Sequence, residues 1–429
     1  MLTDPIAISE RLVGLPDVCI VGLEELDGTV HVHVESRMPR PGCSVCGVLA
    51  VVKDRTTVEL VDLPCFGRAA RLHWRKRRWC CADEDCPNGS WTEDVPSIAA
   101  RRLVITDRAG RWVTLQVGRW GRSVNEVGVE LGCDWHTVND AVIAYGTALV
   151  EDPGRFADVA ALGLDEVLFV RRGRWHTKEF TTQLVDVEHS QLLDIVQGRG
   201  ADEPKRWITE RSEQWRANVR FGTLDLSSTY RSVFTSVLSH VTLIADPFHL
   251  VRLANDKVDE TRRRVQNEVF GHRGRKDDPL YRSRRLLLKA HERLDAKGEE
   301  KLLGLLRAGD PRGDVTAAWH AKEAVRQLYA HTDVELATQW IDELIRDMAD
   351  TTWPVEVRSL GRTLSKWRDE ILAWHRAHFT NGPTEAMNNL IKRVKRTAFG
   401  FTSFRNYRVR SLLYAGKPNW SLLATVTPR

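Results

Sequence analysis

Residues 159–169 read VAALGLDEVLF, an apolar run interrupted by Asp165 and Glu166. Its length and its turn-rich surroundings predict a short buried strand with Asp165 at its end. FTTQLVDVE (180–188) and QLLDIVQG (191–198) predict two more strands with a tight link. EPKRWITERSEQWRA (203–217) reads as helix, and VRFGTLD (219–225) as a fourth strand ending in Asp225. SSTYRSVFTSVLSH (227–240) reads as helix, and VTLIAD (241–246) as a fifth strand ending in Asp246, followed by PFHLVRLAND.

Three adjacent strands followed by an α/β alternation is the order of a ribonuclease-H-like fold. In such a sheet the first and fourth strands are neighbours, so Asp165 and Asp225 are expected to meet. Asp246 rivals Asp225 because it also ends a strand, but the fifth strand lies one place further from Asp165; Asp246 and His249 otherwise read as orienting the site or contacting the cleaved end, or simply as a helix cap and a buried histidine. Glu166 and Asp186 are read as structural or solvated.

Residues 250–375 are helical in pattern. Ala337, Trp340, Ile341, Leu344, Ile345 and Met348 form one apolar stripe; Leu360, Leu364, Trp367, Ile371 and Trp374 form another. Both stripes read as core, and Thr332 with Glu335 reads as a capping box. Beyond them comes NGPTEAMNNLIKRVKR (381–396). Asn381-Gly382-Pro383 is turn chemistry and Thr384 is the expected N-cap. On a helix, Glu385, Asn388, Asn389 and Lys392 share one face. Asp165, Asp225 and Glu385 are therefore three hard oxygen ligands, suited to two Mg²⁺ ions (Mn²⁺ as a substitute) in an in-line attack on phosphorus. Crowded carboxylates should raise at least one pKa. Lys392 and Arg396 are placed to hold phosphate near Glu385.

The first third of the chain has a different character. DVCIVGLEELDGTVHVHVE (17–35) predicts a hairpin around Asp27-Gly28. All eight cysteines lie at or before Cys133. Cys43-x-x-Cys46 is followed, after a strand-rich stretch at 50–78, by Cys80, Cys81 and Cys86. Cys43, Cys46 and Cys86, with Cys81 or Cys80, predict a structural zinc ribbon. Cys19, Cys65 and Cys133 read as reduced, buried cysteines. Arg75, Lys76, Arg77 and Arg78, interleaved with Trp74 and Trp79, are candidate DNA contacts, the tryptophans by stacking. SVNEVGVELGCDWHTVNDAVIAYG, from Ser123, has a helix-turn-helix pattern that would offer Asp134, His136, Thr137 and Asn139 to a major groove.

At 429 residues, with 42% apolar and 28% charged residues, the chain has room for several cored domains. A net charge of +5 permits nucleic-acid partners. No stretch is long and apolar enough to span a bilayer and no signal segment is seen, so the expected setting is cytoplasmic, without membrane.

GLDE (163–166), LDLSSTY (224–230), ADPFHLVR (245–252) and NGPTEAMNNLIKRVKR together resemble bacterial insertion-sequence DDE transposases of the ISL-three type, over nearly the whole chain. The resemblance implies a multidomain α+β protein with zinc ribbon, helix-turn-helix, and a ribonuclease-H-like α/β catalytic domain interrupted by an all-helical insertion. The corresponding layout is 1–95, 96–155, 156–252 with 376–415, 253–375 for the insertion, and a tail at 416–429. It implies Asp165, Asp225 and Glu385 as the catalytic triad, with Asp246 and His249 as the family's aspartate-x-x-histidine motif and Asn388, Lys392 and Arg396 in support. The family's arginine-arginine-aromatic-x-cysteine knuckle favours Cys81 over Cys80. It further implies binding of terminal inverted repeats and target DNA, metal-dependent cleavage and strand transfer, a homodimer on DNA, and a bacterial, nucleoid-associated setting. Two other readings are a DNA-binding regulator with an inactive nuclease-like domain, and a nuclease that cuts without joining.

Overall fold

The computed structural model describes residues 4–155, 158–272 and 274–428. The chain divides into two compact units, residues 1–157 with 170–172 and 388–429, and residues 158–169 with 173–387.

The first unit opens with α1 (Pro5–Val13) and a sheet of β1 (Val18–Leu26), β2 (Thr29–Ser36), β3 (Val51–Cys65), β4 (Arg68–Cys80) and β5 (Ser90–Thr92). The order is β1-β2-β4-β3, with β5 on β4. Asp27 (φ 48°) and Gly28 (φ 75°) both take left-handed backbone, the geometry a two-residue hairpin turn needs. Alternation along β2 and β4 buries Val30, Val32, Val34, Leu72 and Trp74 in one core. Trp74 and Trp79 are each 2% exposed, which corrects the expectation that they stack on bases. Their rings are buried, and of the four cations between them Arg75 and Arg78 are exposed.

Helices α2 (Asp107–Thr114), α3 (Val124–Leu131) and α4 (Trp135–Val150) follow. Ser123 and Glu126 form a capping box at the start of α3, and Gly132 ends it in left-handed backbone at φ 62°. Asp134 then caps α4 by accepting the Thr137 N–H at 2.7 Å. The turn between the helices is thus fully specified by local chemistry. Val124, Val127, Leu131, Val138 and Val142 are buried and give the two helices their apolar face.

The second unit is built on β6 (Ala161–Arg172), β7 (Thr177–Asp186), β8 (Gln191–Gln197), β9 (Phe221–Leu224) and β10 (Thr242–Ala245). Their order is β10-β9-β6-β7-β8. β9 runs parallel to β6 and to β10, and β7 pairs with β8 antiparallel. The first and fourth strands of the segment are therefore neighbours, and the fifth lies outside the fourth. One expectation is corrected. β6 does not end at Asp165 but continues beside β7 to Arg172, so the acid sits where the parallel neighbour β9 stops.

The predicted helix at 203–217 is split into α5 (Asp202–Thr209) and α6 (Glu213–Asn218), because the Ser212 hydroxyl accepts the Trp215 N–H and starts a new helix. α7 (Ser228–Val237) lies between β9 and β10. A helical array follows: α8 (Pro247–Phe270), α9 (Pro279–Leu288), α10 (Ala296–Gly309), α11 (Asp314–Leu328), α12 (Val334–Asp347), α13 (Val355–Lys366) and α14 (Arg368–Ala377). α8 packs against α11 and α13, and α14 returns to the edge strand β10. Asp333, not Thr332, caps α12, accepting the Glu335 N–H at 2.7 Å. Leu360, Leu364, Trp367 and Ile371 are buried as expected of core.

The chain then enters α15 (Gly382–Thr397) and ends with α16 (Phe404–Ala415), which packs on α4. Thr384 is not the N-cap expected of it. The helix begins earlier, with the Glu385 N–H bonded to the Asn381 carbonyl at 3.0 Å, and Thr384 is buried in the first turn. No helix among the described residues is long and apolar enough to cross a membrane.

Candidate active site

Register places the acids. Gly163 pairs with Thr223 across β6 and β9, and Leu224 pairs with Ala245 across β9 and β10. Carried forward, Asp165, Asp225 and Asp246 stand at one level on three adjacent strands. Side chains alternate faces, so Gly163 and Asp165 share a face, as do Thr223 and Asp225. The first turn of α15 lies on that face. A methyl group on Gly163 would overlap Thr384 Oγ1 and come within 2.8 Å of Val187 Cγ2 and 3.0 Å of Thr223 Oγ1. Glycine at 163 is what lets α15 sit on the strand one residue before Glu385.

A second tie fixes the same turn. The Asn381 N–H donates to Asp246 Oδ1 at 2.8 Å, and Thr223 Oγ1 donates to Asn381 Oδ1 at 3.3 Å. Asp246 Oδ2 accepts the His249 N–H at 3.2 Å and lies 3.0 Å from His249 Nδ1. Asp246 is thus the N-cap of α8, the clamp on Asn381 and the orienter of His249 at once. Its carboxylate is fully engaged. Burial opposes its charge, yet the hydrogen bonds from His249 and the Asn381 N–H hold its pKa below the ordinary value. His249 Nε2 in turn lies 3.6 Å from Glu385 Oε1. The Asp246 hydrogen bond raises the His249 pKa against the effect of burial.

Asp225 is in the opposite condition. Its Oδ1 is buried without a hydrogen-bond partner, and burial pushes its pKa up. Burial also pushes Asp165 up to about 6; the Glu166 N–H opposes the shift and the charge of Asp225 adds to it. Two desolvated carboxylates facing one another, one with an orphaned oxygen, match the donor chemistry of a hard divalent cation. The acids do not form a closed cage: among the described residues, only the four thiols of Cys43, Cys46, Cys81 and Cys86 bring three or more ligand atoms within 4.8 Å of one another.

Gly163→Ala is expected to displace the first turn of α15. Overpacking of this kind costs about 1–3 kcal/mol, and misplacing a reacting group by about 1 Å can lower a rate about 100-fold. Thermal melting and a strand-cleavage rate, measured together, check this. Unchanged values for both would mean that α15 is not seated on Gly163.

The cysteines converge because Val51 pairs with Cys80, setting the two knuckles side by side at one end of β3 and β4. Cys46 Sγ lies 3.3 Å from Cys81 Sγ, and Cys43 Sγ 3.7 Å from Cys86 Sγ. Thiolates about 2.3 Å from a tetrahedral zinc are about 3.8 Å apart, so this cluster could hold that metal. Backbone N–H groups of Cys46 and Val45 lower the Cys43 thiol to about 6. Cys80 lies outside the cluster, as the knuckle pattern implies; the burial expected of Cys19, Cys65 and Cys133 is corrected, since Cys19 is exposed and the other two are half-buried.

Several expected DNA contacts are placed differently. Arg77, its side chain 14% exposed, is bound to the buried Glu93 at 2.9 Å. Freeing it would leave a buried charge unpaired, so it is committed to the fold. Asn139 is 5% exposed and its side chain meets Asn406. Arg75 and Arg78 are exposed, each beside an acid, Glu35 and Asp54. Lys76 lies over the Trp74 ring at 4.2 Å. His136 is exposed and Thr137 half-buried at the start of α4. On α15, Asn388 is 4% exposed, while Lys392 and Arg396 are exposed. Sequence reasoning missed Gly163, Thr223, Asn381 and Thr384. The only local sign was that each lies one, two or four residues before an expected catalytic acid.

A family model described as Transposase, of the ISL3 type, matches residues 162–411. The chain belongs to this family of insertion-sequence transposases. The transposase of element IS1001 from Bordetella parapertussis is 25% identical over 389 residues, which covers 88% of this chain and 89% of that one. The transposase of IS1557 from Mycobacterium tuberculosis (strain CDC 1551 / Oshkosh) is 26% identical over 289 residues, covering 63% of each. The resemblance carried by GLDE, LDLSSTY, ADPFHLVR and the opening of α15 is thereby borne out. DNA is accordingly the partner class that the family implies.

Proposed function

We propose that this transposase cuts the terminal inverted repeats of its own element and joins the released ends to target DNA, on a ribonuclease-H-like sheet, with Asp165, Asp225 and Glu385 as the catalytic acids. One observation carries the assignment. Asp225 has a buried, unpartnered carboxylate oxygen beside Asp165, whereas its rival Asp246 is saturated by Asn381 and His249.

In this reading Asp165, Asp225 and Glu385 would hold two Mg²⁺ ions, with Mn²⁺ as a substitute. Bound there, the ions would polarise the attacking water or 3′-hydroxyl and neutralise charge on the leaving oxygen. Asp246 keeps His249 aimed at Glu385 and keeps Asn381 under the turn that presents Glu385. Asn388, Lys392 and Arg396 support the same helix and its phosphate contacts. The zinc-bound cysteine cluster would stiffen the first unit. There Arg75, Lys76, Arg78, His136 and Thr137 would contact the repeats, and two chains would hold two ends as a homodimer in the bacterial cytoplasm, at the nucleoid.

Asp165 supplies a pH test. Its raised pKa means that protonation stabilises the folded, metal-free chain. That contribution is complete below the ordinary carboxylate pKa and is lost as pH rises through about 6. Between about pH 4 and pH 7, metal-free wild type is expected to lose on the order of 2 kcal/mol relative to Asp165→Asn. Mg²⁺ should restore the loss in wild type and leave Asp165→Asn unchanged. Melts of the two proteins that run parallel across this range, with and without Mg²⁺, would remove Asp165 from the site.

A further inference from the structure

A cavity of about 590 Å³ opens beside the acidic end of β9, between α8 and α13. Its size falls within the range of about 300–1,000 Å³ typical of small-ligand sites, enough for a nucleotide unit. Asp225 and His249 lie in its wall. So do three cations from the helical array, Arg252 of α8 and Arg362 and Lys366 of α13. Arg252 lies three residues after His249, so the face of α8 that carries His249 toward Glu385 also carries Arg252. Arg362 and Lys366 share a face of α13 by the same spacing of four.

The cations differ in how they are used. Lys366 Nζ donates to Ser228 Oγ at 2.8 Å, which ties the end of α13 to the segment following Asp225. Among the described residues, the guanidinium groups of Arg252 and Arg362 make no ion pair or hydrogen bond, and both residues are exposed. Asp256 is in the wall as well, one turn from Arg252 on α8, but forms no ion pair with it. Two guanidinium groups held toward one cavity without partners repel each other. Each still has its full fork of donors for a planar or tetrahedral oxyanion.

We propose that this cavity seats a phosphodiester of the DNA strand adjacent to the scissile bond, with Arg252 and Arg362 as its clamp and Lys366 as the post that holds α13 in place. The inference rests on the catalytic reading above and extends it. The helical array becomes part of the active centre of its own subunit, positioning the strand rather than only separating β10 from α15.

Phosphate neutralisation tests it on the full-length chain. Duplexes carrying the ends that flank the coding region receive a single methylphosphonate at each position around the scissile bond. Wild type, Arg252→Ala/Arg362→Ala and Arg252→Lys/Arg362→Lys are compared. One position is expected at which neutralisation raises the wild-type KM at least tenfold with little change in kcat. The Ala variant should show the same rise on unmodified DNA and be blind to the substitution, and the Lys variant should recover part of the loss. End binding without metal provides a readout independent of cleavage, and there the Ala variant, which loses one phosphate contact, should lower the salt-dependence slope by about 1. An Ala variant that keeps wild-type KM, salt slope and sensitivity at every position overturns the clamp. A wild type that binds these ends but never cuts them refutes the catalytic reading, and the binding comparison still decides the clamp.

Discussion

Asp225→Asn is expected to lower both strand cleavage and end joining by about 1,000-fold or more, while leaving the chain folded and its grip on DNA intact. Losing a metal ligand removes several kcal/mol of charge stabilisation from the transition state, and each 1.36 kcal/mol is a factor of ten. Folding should not suffer, because Asp225 Oδ1 has no partner to lose and its charge is disfavoured by burial. Removing that charge should leave metal-free stability equal or higher. Asp246→Asn has the opposite signature. Its carboxylate holds the Asn381 N–H, the His249 N–H and the His249 ring, so the substitution weakens three contacts at once. A loss of about 1–3 kcal/mol is expected from the disturbed buried bonds, with a partial fall in rate that follows the loosened α15. Melting curves and rates for the two variants, measured side by side, separate an acid that holds a cation from one that holds the fold. An Asp246→Asn protein of unchanged stability and no activity would reverse the two roles.

Removing the zinc proposed for the cysteine cluster is expected to give the second large effect. Structural zinc contributes about 10–16 kcal/mol of apparent binding free energy at neutral pH in small zinc modules, and that free energy is folding free energy. Chelation, or Cys81→Ser, is therefore expected to release about one zinc per chain, lower the melting temperature of the first unit and weaken end binding at least tenfold. Cys80→Ser is the control. Its sulfur lies outside the cluster, so zinc content should stay unchanged even though the two cysteines are adjacent. Equal zinc loss from both Ser variants would contradict the ligand set.

The strand order around Asp165 and the cysteine spacing were readable because both are written in short-range pattern. A five-strand segment with acids expected at three strand ends needs only apolar runs and turn chemistry to be seen. What could not be read is contact across long separations. Thr223 meets Asn381 158 residues later, and Asp246 meets it 135 residues later. Neither pairing leaves a local trace, so the tie between Asp246 and Asn381 is not legible, although the cap that Asp246 makes for its own helix is. Burial misled in the other direction. The stretch carrying Trp74, Arg77 and Trp79 reads as a strand, but its pattern does not reveal that both tryptophans are covered or that Glu93 lies beside Arg77. Asn139 fell the same way, because a helix start looks alike in sequence whether its fifth side chain faces a groove or Asn406. The extension of β6 past Asp165 depends on its pairing with β7, which the acid itself seemed to deny.

The most direct measurement is Mg²⁺-dependent breakage and joining of a labelled duplex bearing the element's own end, with wild type, Asp165→Asn, Asp225→Asn and Glu385→Gln compared at equal DNA occupancy. A nicked end with a free 3′-hydroxyl, then a joined product, both lost in all three variants and in the absence of divalent metal, is the predicted result. Cleavage that persists in any of the three variants, or that proceeds without metal, would contradict the account.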